Sequence, residues 1–166
     1  IRGGLAQQVI YESVSQLPPY HVNTLRYDAF FSLSDEVINH VHDIYARGQT
    51  LGRDPQAFTR VGDSTIEAPH FLYRFDDGDY HLGEYDYLED TIAHYAGSFA
   101  HDSVAVQRGL HVWSVLDSMW SPAECEVGEH ILACEFRLHN PSIIIIRLGT
   151  NDSGQAEITR TAYEEM

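Results

Sequence analysis

Lysine is absent. All ten basic residues of this 166-residue chain are arginines, set against 25 aspartates and glutamates for a formal charge of −15. That excess disfavours nucleic acid and anionic membranes as partners, because their affinity rests largely on neutralised phosphates. Schiff-base chemistry and a phosphate-loop lysine are excluded with it. Long apolar runs are missing too. The isoleucine tetrad 143–146 is as long as they get, far short of the roughly 18 residues of a membrane span. No internal repeat or low-complexity segment is visible. Cysteine is scarce: Cys125 and Cys134 stand nine positions apart in a polar, glycine- and proline-bearing stretch. Neither has a CxxC or histidine partner at metal spacing, so the pair is expected to form a disulfide. Closing so small a loop contributes roughly 2–3 kcal/mol. A disulfide places the protein outside a reducing cytosol, so secretion is expected.

What remains is the composition of one globular domain, with 43% apolar and 21% charged residues. The chain opens at Ile1 with neither an initiator Met nor a signal-like segment, and is expected to be processed or incomplete. Residues 1–33, with Pro18, Pro19 and several aromatics, read as an irregular lead-in packed on a domain over 34–166. The pattern predicts a helix over 34–47, capped by Ser34, with Val37, Ile38, Val41, Ile44 and Tyr45 on one face and Gly48 as its stop. A short strand is predicted over 57–62, a long acidic loop over 71–86, a helix over 87–96 and a second short strand over 103–107. Trp113 and Trp120 read as packing residues. The clearest strand covers 142–148. Its β-branched residues do not alternate with polar ones, so both faces are expected to be buried, as in a central parallel strand. Residues 157–166 start as a helix. The order of elements predicts an α/β fold with a mainly parallel sheet.

In such sheets ligands bind at the carboxyl ends of the strands. The three predicted strands end in Gly62-Asp63-Ser64, in Gln107-Arg108-Gly109 and in Gly149-Thr150-Asn151-Asp152. If the strands are parallel neighbours, those turns share one rim. A serine hydroxyl there can attack an ester carbonyl, while the N–H groups of Ser64 and Gly109 and the Asn151 amide stabilise the oxyanion. Val61-Gly62-Asp63-Ser64 resembles the first block of the SGNH (GDSL-type) hydrolases. Leu148-Gly149-Thr150-Asn151-Asp152 resembles their Gly-x-Asn-Asp block, and Gly109 more loosely resembles the glycine between them. Forty-five residues separate Ser64 from Gly109, and 42 more lead to Asn151. The resemblance covers about residues 57–155. It implies a flavodoxin-like three-layer sandwich and a secreted esterase with Ser64 as nucleophile and Ser64, Gly109 and Asn151 as the oxyanion hole. The substrate would be a small-molecule, carbohydrate or lipid ester, and no cofactor is called for.

One part of the family pattern is missing. Its general base is a histidine in an Asp-x-x-His segment near the carboxyl end, and none of the ten histidines here lies beyond Asn151. A lone serine is a poor nucleophile without a base. The base is therefore expected from sequence downstream of Met166, and the sandwich is expected to be incomplete at its C-terminal side. His70, after Glu67, and His111, near Gly109, are the substitutes considered. Strand 142–148 would then show a bare apolar edge, covered by missing strands, by a second copy or by another chain. The rival reading is a hydrolase-derived module that binds or assembles without turnover. His40 and His42 point in different directions on a helix, and Asp76-Asp77-Gly78-Asp79 lacks EF-hand spacing, so neither reads as a metal site. Arg147, inside the isoleucine strand, is expected to reach solvent or an acidic partner.

Overall fold

The computed structural model describes residues 33–166. Apart from Leu33, the expected lead-in lies outside the described residues. The chain divides into two compact units, one ending at Arg53 and the other spanning Asp54–Met166.

In the first unit helix α1 runs over Asp35–Thr50. The Ser34 hydroxyl accepts from the Val37 N–H at 3.3 Å, and Asp35 and Glu36 complement the positive end of the helix dipole. Gly48 does not stop the helix. It continues to Thr50, whose hydroxyl donates to the Arg47 carbonyl at 2.7 Å. The left-handed residue is Gly52, with φ +76°. No residue of α1 is buried, and Val37, Ile38, Val41 and Ile44 are exposed.

The second unit is mixed α/β around a small parallel sheet. Strand β1, Asp54–Gly62, pairs in parallel with β2, Pro141–Arg147, from Phe58 opposite Ile143 to Gly62 opposite Arg147. On the other side of β1, the Gly62 N–H donates to the Ala105 carbonyl and the Gly62 carbonyl accepts from the Gln107 N–H, both at 3.0 Å. The strand predicted over 103–107 is thus a single bridge at Val106. Serine side-chain bonds take the place of a longer ladder: the Ser103 hydroxyl donates to the Arg60 carbonyl and accepts from the Ala105 N–H. The spatial order is bridge segment, β1, β2.

The strand buried on both faces is β1. Every residue from Ala57 to Gly62 is inaccessible or nearly so. Val61 packs with Ala105, Leu110, Val115, Ile131 and Leu132 on one face, where helix α5 (Ile131–His139) lies. Phe58 packs with Ile92 and Phe99 on the other. Each of these side chains larger than alanine contributes roughly 1.5–3 kcal/mol by leaving water. The second cluster is completed by Phe75 on the single turn α3 (Arg74–Asp77) and by α4 (Glu89–His94), which carries Ile92. The stretch expected as a loop over 71–86 therefore holds α3 and the start of a 3-10 segment, Gly83–Leu88. The Asp76 carboxylate is not merely solvated. It accepts from the Gly97 and Ala100 N–H groups, both at 2.7 Å, and so pins the 97–100 connection.

The isoleucine strand departs from expectation. Ile143 and Ile146 are 41% and 43% exposed, and β2 has a strand partner on one edge only among the described residues. Arg147 is exposed at the end of β2. Trp113 and Trp120 sit in 3-10 turns, Trp113–Leu116 and Ser118–Trp120, with their rings edge-on at 5.9 Å. The disulfide Cys125–Cys134 is formed, with Cα atoms 5.3 Å apart. Cys134 belongs to α5 rather than to a loop, and is fully buried. Helix α6 covers Ala156–Glu165. No described helix is long and apolar enough to cross a membrane.

Candidate active site

β1 delivers its carboxyl end into a sharp turn. Gly62 leaves no room for a side chain: a Cβ there would lie 2.6 Å from the Arg147 carbonyl and 2.5 Å from Ile66. Asp63 follows with no exposed surface. Its carboxylate accepts from the Thr65 N–H at 2.8 Å and so caps α2, Ser64–Glu67. Helix α2 is one turn only, so dipole support for an anion there is smaller than a full helix would give. Ser64 itself is exposed.

The second turn carries Gly109 at φ +75°, a conformation natural to glycine. The Leu110 N–H donates to the Gln107 carbonyl at 3.2 Å and closes the turn. The third turn follows β2. Gly149 has φ +112°, and the Asp152 N–H donates to its carbonyl.

Asn151 ties the three turns together. Its Nδ2 donates to the Leu110 carbonyl at 3.1 Å and to Asp63 Oδ2 at 3.4 Å. The residue after Gly109 and the residue before Ser64 therefore meet at one amide. Both of these Nδ2 contacts are to acceptors of the protein itself. The N–H groups of Ser64 and Gly109 make no hydrogen bond among the described residues, and neither does the Ser64 hydroxyl.

Behind this amide the site is acidic. Asp152 is buried, accepts from the Val112 N–H at 3.2 Å and from the Thr159 hydroxyl at 3.3 Å. The Tyr163 hydroxyl donates to the Leu148 carbonyl at 3.1 Å. Burial, then the Asp152 and Asp63 carboxylates, hold the Tyr163 phenol above its ordinary pKa. Beside Ser64 lies an open cleft of about 450 Å³ lined by Ser64, Glu67, Ala68, Pro69 and Arg108. Arg108 Nε donates to Glu67 at 2.6 Å across it.

Neither substitute histidine is brought to the serine by a hydrogen bond. His70 is exposed, and Glu67, the acid just before it in sequence, pairs with Arg108. His111 stacks on Trp113 at 5.3 Å and points Nδ1 at Asp152, 3.7 Å away. The sequence reading missed the roles of Asp63 and Asp152 as the buried supports of these turns. The signal was present: an aspartate just before a short helix is a natural cap. It missed the Arg108–Glu67 pair entirely, since residues 41 apart carry no shared spacing.

No family model, no curated protein and no solved structure matches the chain.

Proposed function

We propose that this chain carries the catalytic rim of a secreted serine ester hydrolase of the SGNH (GDSL-type) kind. The observation that carries the reading is the Asn151 amide, within hydrogen-bond reach of both Asp63 and Leu110. It joins the turns of Ser64 and Gly109, whose own N–H groups are open. The order of bridge segment, β1 and β2 is the order 2-1-3 at the start of a flavodoxin-like sheet. In this reading the open edge of β2 is where further strands, or another chain, pair.

The chemistry follows from the geometry. The Ser64 hydroxyl attacks the ester carbonyl carbon and gives its proton to a base. The carbonyl oxygen, now negative, accepts from the Ser64 and Gly109 N–H groups. Asn151 joins them by giving up its longer contact, the 3.4 Å one to Asp63. Collapse expels the alcohol, and water then releases the acid from the acyl-enzyme. The base is a histidine from outside the described residues. The substrate in this reading is a small-molecule, carbohydrate or lipid ester.

A second reading is a module that retains the rim but does not turn over. It is favoured by the Ser64 hydroxyl, which has no base against it among the described residues. A fluorophosphonate probe separates the two. Because free imidazole can stand in for a histidine base, labelling is measured with and without it. The enzyme reading expects Ser64 to be labelled, faster with imidazole, and labelling to vanish in Ser64→Ala. A folded sample that stays unlabelled in imidazole overturns the enzyme reading.

A further inference from the structure

A second polar cluster lies under β1, away from the Ser64 turn. Glu135 of α5 is 1% exposed. Its Oε1 accepts from the Thr59 hydroxyl at 2.5 Å and lies 2.8 Å from His101 Nε2, and its Oε2 accepts from the Val104 N–H at 3.0 Å. The His101 ring stacks on the His139 ring, with centroids 3.6 Å apart and planes 6° from parallel. His139 Nε2 in turn lies 3.0 Å from the Phe58 carbonyl. Two imidazoles and one carboxylate thus join α5, the 101–104 connection and β1.

We propose that His101, His139 and Glu135 form an acid-sensitive latch, which holds α5 to β1 at neutral pH and loosens it on acidification. The charge count is the reason. A proton on His101 is balanced by Glu135 at 2.8 Å. A second proton, on His139, meets the first across a 3.6 Å stack and has no carboxylate of its own in contact among the described residues. The other charged groups facing the pair do not cancel this. From β1, the Arg60 guanidinium donates to the His101 carbonyl, adding positive charge, while Asp54 attracts a proton to His139 only at longer range. Burial first, and then His101, hold His139 below its ordinary pKa, against the Phe58 carbonyl, Glu135 and Asp54. Hydrogen bonds from His101 and Thr59 hold Glu135 below its own ordinary value in spite of burial, which opposes them.

The sign is set by that depression. A histidine with a depressed folded pKa binds its proton more readily in the unfolded chain. Stability is lost as pH falls below the unfolded value, about 6.5, and the loss continues down to the folded one. Glu135 adds a second loss below about 4.5. The latch is independent of what the Ser64 turn does.

Urea unfolding of the full chain at pH 7.5, 6.5 and 5.5 tests it, in the natural protein and in His139→Gln. Glutamine keeps an N–H for the Phe58 carbonyl and cannot take a charge. The unfolding constant of the natural protein should rise by up to about tenfold per pH unit more than that of the variant below about pH 6.5. Equal slopes overturn the latch. Should His139→Gln fail to fold, ring titration by NMR decides in the natural protein and His101→Gln. His139 should titrate below the ordinary histidine value and move up towards it when His101 is removed. Titration at the ordinary value in the natural protein overturns the proposal.

Discussion

Asn151→Asp is the substitution that interrogates the rim most directly. It keeps the shape of the side chain and exchanges a donor for a charge. The new oxygen faces the buried Asp63 carboxylate, 3.4 Å from the present nitrogen, and the Leu110 carbonyl at 3.1 Å. Two like charges at that separation repel by about 5 kcal/mol at an effective dielectric of 20. Asn151 is half-buried, so water screens part of this, and a net loss of about 2–4 kcal/mol is expected at pH 7.5. The urea midpoint should fall by roughly 1–2 M. The loss should shrink as pH drops towards 5, because one shared proton relieves the repulsion: the variant carboxyl has a raised folded pKa, so its penalty grows as pH rises through that value. Asn151→Ala, which removes the donor without adding charge, should cost about 1–3 kcal/mol with little pH dependence. Asn151→Asp within about 0.5 kcal/mol of the natural protein at pH 7.5 would refute the reasoning, since exposed substitutions behave that way.

The same structure sets other outcomes. Gly62→Ala should destabilise by about 1–3 kcal/mol, since the added methyl presses on Ile66 and the Arg147 carbonyl; an unchanged melting temperature would show that β1 and β2 separate easily there. Reducing the Cys125–Cys134 bridge, which spans nine positions, removes about 2.7 kcal/mol of loop-closure stabilisation. That corresponds to a fall of roughly 8–15 °C in Tm for a unit of this size, with reduction verified by mass, and a fall of under a degree would contradict it.

How much of the molecule is legible in its sequence differs from element to element. The three glycine-bearing turns could be placed at one rim because parallel strands share a direction, and the structure brings Asp63, Leu110 and Asn151 together there. The cysteine pair was readable from its short separation and the lack of metal-ligand partners, although Cys134 lies in a helix. Layering was not. Periodicity reports how a strand's faces compare, not what lies over them. The isoleucines of β2 looked doubly covered, yet Ile143 and Ile146 are exposed, while the mixed sequence of β1, with Thr59 and Arg60, is the buried strand. Glu135 accepts from the Thr59 hydroxyl, and the Ile66 and His101 carbonyls accept from the two terminal nitrogens of Arg60. Such partners lie up to 76 positions away, beyond any local pattern. Gly48 misled because a glycine can sit inside a helix, and the stop belongs to the residue with positive φ, Gly52.

Helix α5 concentrates many ties in a short span. Within Ile131–His139 and its cap there are a His130 ring accepting from Ala133, a sulphur bridge at Cys134, the Glu135 carboxylate and the His139 ring. Successive helical residues are turned by about 100°. One inserted residue near the start of α5 would swing all three later groups away from their partners together. The segment is therefore fixed in length as well as in composition, and behaves as a keyed part that fits β1 in one rotational setting.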